Sequence, residues 1–319
     1  MIEINKIYNE NCLDTLSKID DNSIDLVITS PPYNMNLRIR NGKYCSRQIV
    51  KEFSSKYEGF DDNIPIDEFY QFHLNVLKEL LRTSSLIFYN IQIVTGSKRA
   101  FFKIIGELSD FLKDIVIWDK GYAQPAMAQR VLNRRTELLL IFDADNAISR
   151  QFKNASFDRG TLDDIWQIKR GKKIAGSHSA VFPEQLVKKI IDNFSQENDL
   201  IYDPFMSTGT TAVVAKKLNR NYIGSELLPK YYDIINFRLS QLKNEIFNHI
   251  IPNFIFPSSL IIEASQGGSN TTSTSTLKSG YFFLIVFFTL SVMASPKGQA
   301  GVESVISMRT LLSPSYNIL

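Results

Sequence analysis

Residues 24–33 read Ile-Asp-Leu-Val-Ile-Thr-Ser-Pro-Pro-Tyr, an apolar run that stops at two consecutive prolines. Each proline lacks a backbone N–H and fixes φ, so neither can continue a strand. The run therefore predicts a buried strand that leaves a stiff tetrapeptide, residues 30–33, at its carboxyl end, where open α/β sheets bind ligands. A hydroxyl, free carbonyl groups and an aromatic ring suit a flat, amine-bearing group such as a nucleobase. A Pro-Pro turn with a packing tyrosine is the alternative interpretation of the tetrapeptide alone.

Strand-like and helix-like runs alternate over the first 247 residues. This alternation predicts an α/β fold with a parallel sheet and helices on its faces. The predicted strands are 23–29, 85–91, 114–118, 137–142, 199–203 and 222–226, and the predicted helices are 66–82, 98–112, 183–195, 209–219 and 229–246.

Composition bounds the class of protein without identifying its function. The chain has 319 residues, of which 44% are hydrophobic and 22% are charged, as in ordinary soluble globular proteins. Its net charge of +3 is too small to indicate a nucleic-acid partner, so any basic surface must be local. Cys12 and Cys45 cannot form a disulfide framework or a zinc site. Because the N-terminus also shows no apolar signal segment, we expect a cytoplasmic protein.

Two polar stretches that carry Arg and Lys, residues 35–63 and 144–176, are long for loops inside a compact domain. They are either solvated surface or a contact surface for phosphates.

Past residue 248 charged residues become sparse, and the apolar run 281–294 is shorter than the roughly 20 residues of a membrane span. The sequence therefore predicts one domain over residues 1–247, a tail over 248–319 with no assigned chemistry, and no membrane contact.

A second candidate turn, residues 203–211, reads Asp-Pro-Phe-Met-Ser-Thr-Gly-Thr-Thr between a predicted strand and a predicted helix. Gly209 permits close approach to the backbone, and Ser207 or Thr208 can cap the helix. The free N–H groups of such a turn suit a carboxylate-bearing ligand. Glu226 ends the next predicted strand, where a carboxylate holds ribose hydroxyls in nucleotide-binding sheets. These features together predict an adenosine-containing cofactor.

In this order, the two segments resemble motifs of the DNA amino-methyltransferases that use S-adenosylmethionine, and specifically their beta group. Further similar segments are residues 165–166 leading into 178–183, residues 219–224, and Tyr231 with Arg238 in the last predicted helix. The resemblance runs through most of residues 4–240. It implies a Rossmann-like class I methyltransferase sheet in circularly permuted order, with target-recognition loops inserted at about 35–63 and 144–176.

The resemblance also implies roles for individual residues. The implied catalytic residues are Ser30, Pro31, Pro32 and Tyr33. The residues implied to bind S-adenosylmethionine are Asn11, Cys12, His178, Phe182, Asp203, Phe205, Ser207, Thr208, Gly209, Thr210, Thr211 and Glu226. The residues implied to contact DNA are Arg38, Arg40, Lys43, Arg47, Arg150, Lys169, Arg170 and Lys172. A metal is not expected, because no second His or carboxylate lies at ligand spacing from His178.

The chain departs from the family pattern at two places. The family usually has glycine where Ser207 stands, so a side chain here narrows the approach to the methionine part of the cofactor. The family often has an acidic residue before the cysteine, where this chain has Asn11 before Cys12. The asparagine oxygen can still accept a hydrogen bond from an adenine amine.

The implied reaction is methyl transfer to an exocyclic amine of a base in double-stranded DNA. The Ser30 oxygen and the Pro31 carbonyl would accept both amine hydrogens, and Tyr33 would stack on a base extruded from the duplex. Methylation of cytosine C5 needs a cysteine nucleophile, which in that family follows a proline. Neither Cys12 nor Cys45 follows a proline, and this argues against C5 chemistry.

Ser30, as the first residue of the tetrapeptide, favours N4 of cytosine as the target, with N6 of adenine as the alternative. Two further alternatives are methylation of RNA or of a protein amide, and a DNA-binding protein with weak catalysis. The resemblance further implies the modification part of a restriction-modification system, a cognate restriction endonuclease as a candidate partner, and a monomer or homodimer.

Overall fold

The computed structural model describes residues 2–34, 37–40, 43–46, 64–123, 129–171, 174, 181–250, 276–279, 282–292 and 304–310. Side chains are described for all of these ranges except 37–46 and the residues after 242. The chain divides into two compact units, Met1–Asn253 and Phe254–Leu319.

The first unit contains strands and helices in alternation. Its strands are β1 (Lys6–Tyr8), β2 (Leu26–Thr29), β3 (Leu37–Arg40), β4 (Lys43–Ser46), β5 (Leu86–Ile91), β6 (Leu112–Asp119), β7 (Thr136–Asp143), β8 (Ile165–Gln167), β9 (Leu200–Asp203) and β10 (Asn221–Ser225). Its helices are α1 (Cys12–Leu16), α2 (Ile66–Thr83), α3 (Lys98–Glu107), α4 (Glu184–Phe194), α5 (Thr210–Lys217) and α6 (Pro229–Ile250), with a short 3-10 helix at Ser109–Phe111.

The second unit is described as three strands. They are β11 (Thr276–Ser279), β12 (Phe282–Val292) and β13 (Ser304–Thr310), which form an antiparallel sheet in that order. The apolar run 281–294 thus contains a strand. None of the helices in the described part of the chain is long and apolar enough to cross a membrane.

Eight strands of the first unit form one sheet in the order β1-β10-β9-β2-β5-β7-β6-β8. Counted from β9, strands β10 and β1 lie on one side, and β2 and β5 lie on the other. This is the 3-2-1-4-5 order of Rossmann sheets, in which β9 takes the place of the first strand. Because β9 comes late in the chain, the sheet is circularly permuted, and the fold class implied by the sequence is confirmed.

The sheet is mixed, and the prediction of a parallel sheet is wrong for one strand. Strands β1, β10, β9, β2 and β5 pair in parallel. Strand β7, however, runs antiparallel to both β5 and β6. No helix is described between β6 and β7, and an antiparallel neighbour does not need the crossover helix that a parallel one requires.

Strand β2 shows how the sheet is buried on both faces. All four of its residues are buried. Because side chains alternate in direction along a strand, Leu26 and Ile28 pack in one apolar cluster and Val27 packs in the other. The first cluster includes the apolar faces of α4, α5 and α6, and the second includes those of α1, α2 and α3. The unit is therefore a helix–sheet–helix sandwich.

All six predicted strands and all five predicted helices are present, with shifted ends. The helix predicted to continue to residue 112 ends at Glu107 and is followed by the 3-10 helix. The strands and α-helices of the first unit that the sequence pattern does not predict are β1, α1, β3, β4 and β8. Each is three to five residues long, which is too short to show a clear hydrophobic period.

Candidate functional site

The two segments singled out in the sequence meet at the carboxyl edge of the sheet. Thr29 is the last residue of β2 and Asp203 is the last residue of β9, and these strands are parallel neighbours. The strand order reverses between β9 and β2, which is where open α/β sheets bind ligands. Thr29 Oγ1 donates a hydrogen bond of 2.7 Å to Asp203 Oδ1. This bond joins the beginning of the tetrapeptide to the beginning of the turn at 203–211.

Asp203 is 3% exposed and holds the turn at both of its ends. Its Oδ1 also accepts from the backbone N–H of Phe205 at 3.0 Å, and its Oδ2 accepts from Thr211 Oγ1 at 2.7 Å. Burial raises the pKa of Asp203 to about 6, and hydrogen bonds from Thr29, Thr211 and Phe205 act in the opposite direction. The carboxylate predicted to bind the cofactor is thus engaged with the turn itself.

The backbone of the turn is left-handed at two residues. Ser207 has φ of 51° and Gly209 has φ of 80°. A Cβ at Gly209 would also lie 2.8 Å from Cγ2 of Ile235, so this position requires glycine for both reasons. Gly209 is the N-cap of α5, and no side chain in the described part of the chain caps this helix. The predicted cap from Ser207 or Thr208 is therefore wrong, and the turn keeps the first N–H groups of α5 available for a ligand.

Replacing Ser207 with glycine is expected to stabilise the protein. A left-handed residue with a Cβ costs roughly 1–2 kcal/mol, and the greater entropy of glycine in the unfolded chain offsets roughly 0.5–1 kcal/mol of that gain. We expect Ser207→Gly to raise the free energy of unfolding by up to about 1 kcal/mol in urea titrations. Asn219→Gly is the matched control, because Asn219 has φ of 59° but asparagine tolerates this region. Equal gains in both variants would contradict strain at Ser207.

Glu226 follows β10 and lies against the turn. It is 8% exposed. Its Oε2 accepts from the backbone N–H of Ser207 at 2.7 Å, and its Oε1 accepts from the N–H of Leu228 at 2.9 Å. Burial raises the pKa of Glu226 to about 7. Each carboxylate oxygen keeps a second lone pair with which it can accept from a ligand hydroxyl.

The turn and Glu226 fit a ligand that carries ribose hydroxyls and a carboxylate. The Glu226 carboxylate can accept from the hydroxyls, and the first N–H groups of α5 can donate to a carboxylate. Thr210 Oγ1, at the beginning of α5, is buried and has no hydrogen-bond partner among the described residues. A ligand in the turn can supply that partner. Both ligand groups occur in the cofactor that the sequence implies.

The tetrapeptide lies beside a group of buried polar side chains. Ser30 Oγ is 2.6 Å from Tyr33 Oη, and Tyr33 is 6% exposed. Tyr33 Oη donates to Glu137 Oε2 at 3.1 Å and accepts from Asn90 Nδ2 at 2.6 Å. Lys120 Nζ lies 2.9 Å from Glu137 Oε1. We call Ser30, Tyr33, Asn90, Glu137 and Lys120 the Tyr33 cluster.

Three members of the Tyr33 cluster, Asn90, Lys120 and Glu137, are not among the residues predicted from the sequence. The available signal is weak, because each is merely a polar residue at or near one end of a strand-like apolar run. Stacking of Tyr33 on a base stays a prediction. It requires DNA binding to uncover a ring that is buried in the structure.

Asn11 and Cys12 lie at the beginning of α1. Asn11 Oδ1 accepts from the backbone N–H of Leu13 at 3.0 Å and so caps the helix. Cys12 is buried, and burial raises the pKa of its thiol to about 12. The predicted hydrogen bond from an adenine amine to Asn11 would have to use the second lone pair of the same oxygen.

The two aromatic residues that the resemblance implies for cofactor binding, Phe205 and Phe182, pack against different parts of the sheet. The ring of Phe205 packs against Phe72 of α2, with 6.1 Å between the ring centroids. The ring of Phe182 packs against Trp118 of β6 at 6.4 Å. His178 lies outside the described residues. Within the described residues, no group of three or more His, Cys, Asp or Glu could hold a metal ion.

The predicted DNA-contacting residues fall into four groups. Lys169 and Arg170 are exposed and follow β8, which is parallel to β6, so they lie at the carboxyl edge with the tetrapeptide. The guanidinium of Arg170 lies over the ring of Tyr122, 6.0 Å from its centroid. A second group, in the antiparallel pair β3–β4, consists of Arg38, Arg40 and Lys43. Arg47 and Lys172 lie outside the described residues.

Arg150 is placed away from the site. It follows β7, and because β7 is antiparallel to its neighbours, that strand ends at the edge of the sheet opposite the tetrapeptide. The same loop packs on the end of α4, where the rings of Phe152 and Phe157 lie 5.1 and 5.4 Å from that of Phe194. Of the described residues in the stretch 144–176, Lys169 and Arg170 after β8 thus lie at the edge that carries the site, whereas Arg150 does not.

Comparison with known proteins adds to this geometry. The family model described as DNA methylase, of the N6/N4 type, matches residues 24–237. The chain is 30% identical over 261 residues to the Type II methyltransferase M.HinfI of Haemophilus influenzae, with 75% of this chain and 69% of that protein covered. It is 27% identical over 281 residues to the Type II methyltransferase M1.MboII of Moraxella bovis, with 76% and 99% covered.

Solved structures share the fold. PvuII DNA methyltransferase, described as cytosine-N4-specific, aligns with a TM-score of 0.57 at 18% identity, over 79% of this chain and 94% of that one. The M1.HpyAVI–SAM complex aligns with a TM-score of 0.51 at 20% identity, over 73% and 98% of the two chains. At these identities the two structures are similar to this chain in fold.

Proposed function

The chain belongs to the DNA methylase family of the N6/N4 type, and from this premise we propose that it transfers a methyl group from S-adenosylmethionine to an exocyclic amine in double-stranded DNA, at N4 of cytosine. The observation that carries the proposal is the hydrogen-bonded chain Thr29–Asp203–Thr211. It ties the end of the strand that carries the tetrapeptide to the turn that fits the cofactor. Two segments 174 residues apart in sequence thereby form one site.

The residues of the tetrapeptide supply the geometry for transfer. An exocyclic amine is a weak nucleophile because its lone pair is delocalised into the base. Ser30 Oγ and the Pro31 carbonyl accept the two amine hydrogens, which favours a pyramidal nitrogen and directs its lone pair away from the ring plane. S-adenosylmethionine, when bound, supplies an activated methyl group, so orientation of the amine can account for most of the acceleration.

The chain's cofactor-binding residues have separate tasks. Glu226 accepts from ribose hydroxyls, and the first N–H groups of α5 hold the methionine carboxylate. Asp203 maintains the conformation of the turn by accepting hydrogen bonds from Phe205 and Thr211. The apolar packing of Phe205 at the edge of the second cluster limits water on that side.

The affinity for S-adenosylmethionine is expected to depend on the protonation of Glu226. The pKa of Glu226 is raised to about 7, so below that pH the group is protonated and loses acceptor capacity. Binding should therefore weaken as the pH falls, by about tenfold between pH 8 and pH 6 if only the ionised form binds. Isothermal titration calorimetry between pH 6 and pH 8 measures this change in affinity.

Glu226→Gln is the control for this pH dependence, because glutamine has the same size and does not titrate. The variant should bind the cofactor more weakly. The pH dependence of its affinity should lack the contribution of Glu226 and retain only that of the cofactor's own titrating groups. The same slope in both proteins would refute the role of Glu226.

The target base is tested by methylating DNA in vitro and identifying the modified nucleosides by mass spectrometry. Ser30 supports N4-methylcytosine as the product. Detection of N6-methyladenine alone would contradict the cytosine assignment and establish the alternative. Absence of cofactor binding at millimolar concentration would instead support a DNA-binding protein with weak catalysis.

Lys169 and Arg170 are expected to contact phosphates of the DNA, because they are exposed at the edge that carries the tetrapeptide. The double variant Lys169→Ala, Arg170→Ala should bind duplex DNA more weakly and lower the slope of log affinity against log salt by about 1–2. Arg150→Ala removes an exposed arginine from the opposite edge and should change neither quantity. Equal losses in both variants would show that the two edges contribute alike.

The names of its relatives support a place in a restriction-modification system. We therefore propose that its methylation protects DNA from a cognate endonuclease. Expression in a host without methylation, followed by methylome sequencing, identifies the protected site. Light scattering with and without DNA distinguishes a monomer from a homodimer.

A further inference from the structure

We propose that Glu137 is the terminal acceptor of the proton that the target amine loses, and that the proton reaches it through Ser30 and Tyr33. This inference rests on the proposed methyl transfer. It assigns a role to a residue outside the tetrapeptide and outside the cofactor turn. Glu137 acts through other residues and is therefore a positioning residue.

The topology of the sheet explains how Glu137 reaches the tetrapeptide. Strands β2, β5 and β6 all end at the carboxyl edge, which brings Asn90 and Lys120 there. Strand β7 is antiparallel, so its second residue, Glu137, lies at the same edge although it begins a strand. The carboxylate is 10% exposed and pairs with Lys120, whose side chain is 1% exposed. Such a buried pair is costly unless its remaining hydrogen bonds are satisfied.

The hydrogen bonds in the Tyr33 cluster have a defined direction. An ionised carboxylate only accepts, so the Tyr33 hydroxyl donates to Glu137. Either hydroxyl could donate across the 2.6 Å contact between Ser30 and Tyr33; with the Tyr33 proton on Glu137, the Ser30 hydroxyl is the donor. In this arrangement the Ser30 proton points towards Tyr33, and Ser30 Oγ, which also accepts from Asn90 Nδ2 at 3.3 Å, keeps one lone pair to accept from the target amine.

Asn90 supports the same direction. Its Nδ2 lies 2.6 Å from Tyr33 Oη, 2.7 Å from Glu137 Oε2 and 3.3 Å from Ser30 Oγ. The opposite amide orientation would place an oxygen against the carboxylate. The Asn90 Oδ1 has no hydrogen-bond partner among the described residues. The orientation of the amide is therefore determined by the contacts of Nδ2 with the oxygens of Tyr33, Glu137 and Ser30.

The proton step balances as follows. The amine lone pair forms the bond to the methyl carbon, while the electron pair of the carbon–sulfur bond goes to sulfur. The amine proton passes to Ser30 Oγ, the Ser30 proton passes to Tyr33 Oη, and the Tyr33 proton passes to Glu137 Oε2. The electron pair of the broken N–H bond stays on nitrogen, and Glu137 becomes neutral. Its partial exposure allows the proton to leave to solvent afterwards.

Single-turnover methylation of a duplex substrate by Glu137→Gln tests the proposal, because glutamine keeps the size but is not a base. The rate constant should fall by about 10²–10⁴-fold, the range for loss of a positioned base. Dissociation constants for S-adenosylmethionine and DNA should stay within about threefold.

Glu107→Gln is the matched control. Glu107 forms the same kind of trio on the surface, where it accepts from Tyr70 Oη and pairs with Lys78 at 3.3 Å. Its removal should leave the rate unchanged. Tyr33→Phe interrupts the chain without leaving Lys120 unpaired, and it should lower the rate as Glu137→Gln does. If circular dichroism shows that Glu137→Gln does not fold, the transfer rate of Tyr33→Phe tests the proposal instead.

A second readout is independent of activity. In protein labelled with fluorotyrosine, the ¹⁹F resonance of Tyr33, assigned through Tyr33→Phe, should shift in Glu137→Gln, which changes the group that its hydroxyl contacts, and should keep its wild-type position in Glu107→Gln. Wild-type-like transfer rates in both Glu137→Gln and Tyr33→Phe would overturn the inference alone. Absence of methyl transfer by the wild type would overturn the proposed function, and this inference with it.

Discussion

Ser30→Ala is expected to lower the single-turnover rate of methyl transfer by about 10²–10³-fold, the effect of losing one positioned polar group at a reacting centre. The alanine retains the backbone of the tetrapeptide but removes the oxygen that accepts from the amine and contacts Tyr33. The dissociation constant for S-adenosylmethionine should change little, because Ser30 is not part of the turn at 203–211. Rapid-quench kinetics with labelled cofactor measures the rate, and calorimetry measures the affinity.

Ser23→Ala is the control for this prediction. Ser23 is exposed, and its hydroxyl donates only to the carbonyl of Asp20 at 2.7 Å in the described contacts. Its rate should match the wild type. Tyr33→Ala should also abolish transfer with cofactor binding retained. Normal turnover in both Ser30→Ala and Tyr33→Ala would eliminate the tetrapeptide as the site of chemistry.

Asp203→Ala is expected to have the largest effect on the fold around the site. It removes the shared acceptor of Thr29 Oγ1, Thr211 Oγ1 and the Phe205 N–H, all at the buried carboxyl edge. Unsatisfied buried groups cost about 1–3 kcal/mol each, and removal of a buried carboxylate recovers part of that cost. We expect a loss of about 2–4 kcal/mol in the free energy of unfolding at pH 7, with loss of cofactor binding.

Two variants make the Asp203 test specific. Asp192→Ala removes an exposed aspartate whose one ion pair among the described residues is with Lys188 across one helical turn, and it should cost less than about 0.5 kcal/mol. Asp203→Asn keeps the size and can still bond both threonines. A loss with Asp203→Ala no greater than with Asp192→Ala would refute the structural role of the carboxylate.

The pH dependence of stability gives a further check on Asp203. Because its pKa is raised from 3.8 to about 6 in the folded protein, the folded state binds more protons than the unfolded state between these values. The resulting stabilisation is complete below pH 3.8 and is lost as the pH rises through about 6. Asp203→Asn should lack this component in denaturant titrations across that range.

The alternation of strand-like and helix-like runs predicts most of the sheet, and the resemblance of the two short segments implies its permuted order. A strand that ends in two prolines and a strand that runs into a glycine-containing turn are local features, visible within about ten residues. The five strands and α-helices of the first unit that were not predicted are each too short to show a period. The direction of β7 was not predictable because it depends on a pairing partner and not on its own residues.

The residues of the site also divide into those placed by local sequence and those placed by the tertiary structure. The sequence by itself determined the strand ends that carry Ser30 and Asp203, and the turn that holds Gly209, because proline, glycine and apolar runs act on their own backbone. Only the tertiary structure decided that Glu137 and Lys120 join Tyr33, and that Arg150 lies at the opposite edge. The physical reason is that an antiparallel strand reverses which of its ends reaches the site, and this reversal arises from hydrogen bonds between strands distant in sequence.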